Sequence, residues 1–204
     1  MNSRHLIIFV KNPEPGKVKT RLAATLGNEK AVAIYRELLA HTEKVTSSLN
    51  LVKKVYYGDY INVEDIWDNV DYYKALQEGD SLGERMSNAF EHAFEEGADE
   101  VVIIGSDCPE INKETIEKAF DSLLKNDVVI GPAEDGGYYL LGMNKFTPEL
   151  FRGKKWSTSS VLNDTLKDTG KLQLSVTLLD MYTDIDEEAD LQRFSWLKDV
   201  VEAL

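Results

Sequence analysis

The sequence predicts an α/β domain with a mostly parallel central sheet between two layers of helices, a three-layer α/β/α sandwich. Three observations carry that expectation. Short continuous runs of apolar β-formers, such as Leu6–Val10 and Val101–Ile104, suit strands buried on both faces, the condition of a parallel sheet covered by helices. Amphipathic stretches with helical spacing alternate with those runs. No repeat or low-complexity tract interrupts the alternation, and 204 residues suit one domain with a sizeable core, spanning 1–204.

Each element has its own local reason. Leu6–Val10 reads as the first strand, and the two prolines and the glycine of Lys11–Gly16 then exclude a regular element. Asn28 is placed to cap a long helix to about Leu49, with Ala31, Ile34, Tyr35, Leu38, Thr42 and Val45 on its packed face. Leu51–Tyr57 follows as a strand, Asn62–Asp71 as a segment with a short helix, and Tyr72–Leu76 as a third strand. Ser81 with Glu84 forms a capping box for a helix that Gly97 stops. After the strand at Val101, Asn112 caps a helix to about Leu124. Val128–Ile130 is a further strand, running into Gly131-Pro132-Ala133-Glu134-Asp135-Gly136-Gly137-Tyr138 and another strand beyond. Hydroxyls in Ser157–Ser160 are placed to cap a helix ending near Gly170, a strand lies within Leu172–Leu179, and Asp186 precedes a terminal helix that it could cap.

Composition narrows the function classes. A net charge of −13 argues against a general nucleic-acid binder and against a binder of anionic membranes, since each needs surplus Lys and Arg. One cysteine, Cys108, excludes an intramolecular disulfide and a multi-thiolate metal site, and His5, His41 and His92 are too scattered for a histidine cluster. The N-terminal apolar run of about five residues is too short for a signal-peptide core or a membrane span. No membrane insertion and a cytoplasmic location are therefore expected.

Three loops stand out chemically. Lys11–Arg21 carries four cations against one acid on a strongly acidic chain. It reads as a cradle in which Lys11, Lys19 and Arg21 converge on phosphates, or as a solvated charged loop; the Walker spacing is absent. Asp107 stands where a buried parallel strand ends, the place where α/β sheets bind ligands, although an acid there can also simply cap a turn. Gly136 and Gly137 allow a tight turn or a close approach to a ligand; a hairpin with an acidic turn is the competing reading.

Taken in order, six blocks resemble the DUF2064 family: Lys11–Leu22, Leu82-Gly83-Glu84-Arg85-Met86, Gly105-Ser106-Asp107-Cys108-Pro109, Gly131–Tyr138, Trp156-Ser157-Thr158 and Asp184-Ile185-Asp186. That family is described as glycosyltransferases of the nucleotide-diphospho-sugar transferase (GT-A-like) fold, some linked to arsenosugar biosynthesis. The resemblance implies nucleotide phosphates on Lys11, Gly16, Lys19 and Arg21, and a nucleobase near Gln77, Leu82 and Gly83. It implies Mg²⁺ or Mn²⁺ on Asp107, with Asp186 favoured over Asp184 as the second ligand. Gly136, Gly137, Trp156, Ser157 and Thr158 would shape the substrate pocket, and Glu134 or Asp135 would position or deprotonate an acceptor hydroxyl. Ser106-Asp107 stands where a strict Asp-x-Asp would be, Ser81 where an acid is expected, and Glu187 where a threonine is expected.

The leading expectation is a metal-dependent glycosyltransferase that moves a sugar from a nucleotide-diphospho-sugar to a small-molecule acceptor. A nucleotidyltransferase that uses an NTP and releases pyrophosphate would employ the same cations and acids. A non-catalytic nucleotide sensor is the third possibility.

Overall fold

The computed structural model describes residues 3–203. Seven strands form one sheet in the order β3-β2-β1-β4-β6-β5-β7. They are β1 (Arg4–Val10), β2 (Val52–Tyr57), β3 (Tyr72–Leu76), β4 (Glu100–Ile104), β5 (Val128–Pro132), β6 (Tyr138–Met143) and β7 (Val176–Leu178). Every neighbouring pair is parallel except those that β6 makes with β4 and β5.

Alternation along the central strands divides the core into two layers. Leu6, Ile8 and Val10 of β1, with Val102 and Ile104 of β4, enter one cluster; Ile7, Val101 and Ile103 enter the other. The first face is covered by α1 (Thr20–Leu26), α2 (Asn28–Ser47), α4 (Lys113–Leu123) and α6 (Ser195–Glu202), through Leu22, Ile34, Leu38, Ile116, Phe120 and Leu197. The second is covered by α3 (Leu82–Glu95), a 3-10 turn (Pro148–Phe151) and α5 (Val161–Lys171), through Met86, Phe90, Leu150 and Phe151. The α/β/α expectation therefore holds. The capping box also forms: Ser81 accepts from the Glu84 amide, and Glu84 accepts in return from the Ser81 amide.

Several local expectations fail, each for a physical reason. No helix forms in 62–71, because Asn62, Asp65 and Asp68 each accept a hydrogen bond from the amide two residues on, at 3.0, 3.0 and 2.7 Å. Such turns satisfy the backbone in competition with a helix. A separate helix, α1, occupies Thr20–Leu26, and Gly27, at φ +87°, breaks it from α2. Asn28 is thus the first residue of α2 instead of its cap. Ser157–Ser160 give α5 no side-chain cap: Thr158 Oγ1 donates to the Lys155 carbonyl and bonds with Ser160 Oγ. The terminal helix starts only at Ser195, after a 3-10 turn at Asp190–Arg193, so Asp186 does not cap it.

Candidate nucleotide cleft

The cleft opens beyond the carboxyl ends of β1 and β4, adjacent parallel strands at the centre of the sheet. Two connected cavities, about 450 and 340 Å³, share Lys11, Arg21, Asp107 and Asp186 along their boundary.

The basic loop is built by burying its apolar residues. Val18 and Leu22 are 1% and 0% exposed, anchoring the loop and the start of α1 in the core. Buried Asn12 ties its other end to the segment after β2, donating to the Tyr60 carbonyl and accepting from the Asp59 and Tyr60 amides. The Lys11 amide donates to Tyr35 Oη at 2.8 Å, and that hydroxyl is 3.0 Å from Ser106 Oγ, joining the loop to the turn after β4. Burial pushes the Tyr35 hydroxyl up to about 12, so it stays a neutral strut.

Within this frame the cations divide. Lys17 is held by Glu14 at 2.7 Å. The Arg21 side chain is 71% exposed, 3.7 Å from Asp186. The Lys19 side chain is only 5% exposed, with Nζ 3.1 Å from Asp107 and 3.3 Å from Asp186. Lys19 also has left-handed backbone, φ 47° and ψ 48°, a conformation that costs a residue with a side chain about 1 kcal/mol or more. The ion pairs hold it there. Burial would lower the Lys19 ammonium, but Asp107 and Asp186 outweigh it and raise it above the ordinary lysine range. Burial likewise pushes Asp107 upward, and Lys19 and Lys11 overcome that to hold it below the usual carboxylate range. With only seven residues, α1 contributes little dipole, so the side-chain cations carry the positive potential.

The opposite wall comes from 182–186. The Ile185 amide donates to the Asp107 carbonyl at 3.2 Å and its side chain is fully buried, which fixes Asp184 and Asp186 on either side of it beside Asp107. Asp184 Oδ1 is buried without a hydrogen-bond partner. Burial, then the charge of Asp107, pushes this carboxyl up to about 8; Asp135 and Asp186 add to the effect. Hard carboxylate donors and an orphaned oxygen fit a hard divalent cation. Among the described residues no three acids, histidines or cysteines gather closely enough to enclose one, so nucleotide oxygens and water would have to complete its shell.

The remaining predicted residues fall into two groups. Lys19 and Gln77 line the first cavity alone, and Asp135, Gly137, Trp156, Thr158 and Asp184 the second alone; Lys11, Arg21, Leu82, Asp107, Ser157 and Asp186 line both. Gly16, Gly83, Gly136 and Glu134 do not line either. Gly16 turns the loop at φ +78°. Gly83 makes room for an indole, since a Cβ there would lie 2.2 Å from Trp156 Nε1. Gly136, at φ +87°, brings the β5–β6 turn against the Ser159 carbonyl, where a Cβ would be 2.3 Å away. Glu134 is held away in a two-pronged pair with Arg193, at 2.8 and 3.0 Å. The Gln77 amide donates to the carbonyls of Val10 and Tyr56, clamping the ends of β1 and β2. Asp135 Oδ1 accepts from the Gly137 amide at 2.8 Å. Sequence reasoning missed Tyr35, Phe9 and Tyr138 as cleft residues. Tyr35 carried one usable signal, a polar tip on an otherwise apolar helix face.

Comparisons with known proteins give the family and the fold. The profile of the DUF2064 family, described as uncharacterized proteins conserved in bacteria, matches residues 48–158. A crystal structure from Desulfovibrio desulfuricans G20, of a protein provisionally named a nucleotide-diphospho-sugar transferase, superposes with a TM-score of 0.85 at 32% identity, covering 100% of this chain and 98% of that one. The 2-phospho-L-lactate guanylyltransferase of Methanocaldococcus jannaschii is 31% identical over 113 residues, 52% of this chain and 50% of the relative. The match thus spans half the length of that curated relative. The 4-diphosphocytidyl-2C-methyl-D-erythritol synthase of Anaerococcus prevotii DSM 20548 shares the fold at 11% identity, with a TM-score of 0.63 over 97% of this chain and 96% of that one.

Proposed function

We propose that this chain, which belongs to the DUF2064 family and has the nucleotide-diphospho-sugar transferase fold, is a nucleotidyltransferase, moving a nucleoside monophosphate from an NTP onto a small alcohol. The observation that carries this reading is the concentration of Lys11, Lys19 and Arg21 on one loop facing the first cavity, a basic cradle that suits a triphosphate at least as well as a diphosphate. The curated guanylyltransferase relative supports it.

The acceptor oxygen attacks the α-phosphorus, a new P–O bond forms, and the bond to the β-phosphate oxygen breaks, so that pyrophosphate leaves with the electron pair. Lys19 and Arg21 neutralise the charge developing on that leaving group. Lys11 adds to the field. Asp135, its orientation fixed by the Gly137 amide, is the carboxylate best placed to take the acceptor's proton. Asp107 with Asp184 or Asp186 would hold Mg²⁺ or Mn²⁺, which when bound would offset the negative charge of the phosphates. Asp184 is favoured over Asp186, because its Oδ1 is buried without a hydrogen-bond partner.

Glycosyl transfer from a nucleotide-diphospho-sugar is the second reading, supported by the name of the full-length D. desulfuricans relative. Calorimetry with the four NTPs and common nucleotide-sugars, with and without Mg²⁺ or Mn²⁺, separates the two. The proposal expects one NTP to bind at least tenfold tighter than any nucleotide-sugar and to yield pyrophosphate when an acceptor is present. Tighter binding of a nucleotide-sugar would overturn it, and tight NTP binding without turnover on any alcohol would point to a sensor.

A further inference from the structure

The second cavity differs in character from the first. Its volume, about 340 Å³, is near the lower end of small-molecule pockets. Most of the wall that it does not share is apolar or aromatic, Met86, Tyr138, Trp156 and Val161 among it, and Asp135, Thr158 and Asp184 are its polar side chains besides the tyrosines. The Trp156 indole lies over Gly83 and meets the Tyr138 ring edge-on, with centroids 6.4 Å apart and planes at 89°. The buried Tyr138 hydroxyl has no hydrogen-bond partner.

Charge sharpens the contrast. The acidic residues found only in this cavity are Asp135 and Asp184, and no lysine or arginine is found only there. Lys11 and Arg21 line both cavities at their boundary, where in the nucleotidyl-transfer reading they would face the phosphates of the nucleotide. Of the basic residues near it, Lys154 is held by Asp168 and Arg193 by Glu134 and Thr183, and Lys155 does not line the cavity. With Lys11 and Arg21 engaged by a nucleotide, a phosphate or carboxylate in this cavity would meet the Asp135 carboxylate with no further lysine or arginine in the lining to offset it.

We infer that the acceptor is an alcohol with an apolar or aromatic body and no negative charge, seated against Trp156 and Tyr138 with its hydroxyl toward Asp135. This rests on the nucleotidyl-transfer reading for the occupant of the first cavity, and it separates this chain from its guanylyltransferase relative, whose named acceptor, 2-phospho-L-lactate, is an anion.

The test compares two probes, benzyl alcohol and 2-phospho-L-lactate, by ligand-observed NMR titration of the full chain. The titrations are run on the protein saturated with the α,β-methylene form of whichever NTP binds, and on the free protein. Benzyl alcohol is expected to bind the nucleotide complex at least tenfold tighter than 2-phospho-L-lactate. Trp156→Ala should remove that binding while its unfolding temperature and NTP affinity stay near those of the wild type; if it unfolds, Trp156→Phe, which keeps a ring, should retain at least part of it. In Asp135→Asn the anion should gain ground relative to the alcohol. Equal or tighter binding of 2-phospho-L-lactate to the wild type overturns the inference, as does binding of neither probe. Failure of every NTP to bind sinks the nucleotidyl reading instead, and the free-protein titrations then decide the character of the second cavity alone.

Discussion

Lys19→Met removes the central charge of the cleft while keeping most of the side chain's volume. The backbone cost is unchanged, since methionine at φ 47° is as strained as lysine. Two effects follow, with different sizes. Loss of the pair to Asp107 and Asp186 would cost several kcal/mol if all three groups were buried, but the two aspartates are 41% and 46% exposed. Water screens them, so the loss of stability should be about 1 kcal/mol. The ligand loses more: a charge-assisted hydrogen bond to a phosphate contributes about 1.5–3 kcal/mol, a drop of roughly 10- to 150-fold in NTP affinity.

Calorimetry with the NTP and with its bare nucleoside reads the difference directly. The variant should bind the triphosphate at least tenfold more weakly and the nucleoside equally well. Acid unfolding supplies a second check. Asp107 is held below its ordinary value of 3.8, so it contributes stability above that pH and loses it as the pH falls through the lower folded value. The variant should lack most of that acid limb. Lys19 is raised above 10.5, so its own contribution is complete below that pH and is lost only as the pH rises past the folded value. Triphosphate binding within threefold of wild type would reduce Lys19 to a structural tie and refute the phosphate assignment.

Three further outcomes are expected. In Asp168→Asn the 1%-exposed Lys154 ammonium loses its carboxylate partner, costing about 2 kcal/mol by urea unfolding near neutral pH. Hydrogen bonds from Lys154 and Lys171 hold Asp168 below 3.8, so this deficit should be constant above that pH and vanish as the wild type is acidified through the folded value. In Gly83→Ala the new methyl group would meet the indole of Trp156, so tryptophan fluorescence should shift and stability should fall by about 1–3 kcal/mol. Glu134→Gln should leave pyrophosphate release within threefold of wild type, because Glu134 pairs with Arg193 away from both cavities, whereas Asp135→Asn should reduce it at least tenfold.

What could be read in the sequence was set by residues whose role is local. The alternation of Leu6, Ile7 and Ile8, the apolar run ending at Asp107 and the Ser81–Glu84 box all express near-neighbour physics, and all appear in the fold. The loop 62–71 was misread because acids and asparagine in helical company look alike whether they cap a helix or close successive turns; the hydrogen bonds decide. Helix α1 was missed because its first turn lies within a run of cations, and only the burial of Val18 and Leu22 reveals that the run folds back onto the sheet.

The hairpin between β5 and β6 shows why the site was only half legible. Paired glycines after a short strand announced a tight turn, but not at which end of the sheet it would lie. Because β6 is antiparallel to both β4 and β5, β5 runs in the same direction as β4 and ends at the same mouth. The turn therefore delivers Asp135 and Tyr138 to the cleft that already holds Asp107. A helical crossover would have started the next strand at the opposite end of the sheet and carried Tyr138 away. The one departure from parallel order is thus what adds a largely apolar, aromatic cavity to the proposed phosphate site. Gly83 and Gly136 complete it from a distance, one by admitting the Trp156 indole and the other by letting the turn close against Ser159, contacts made across more than twenty residues of chain in each case.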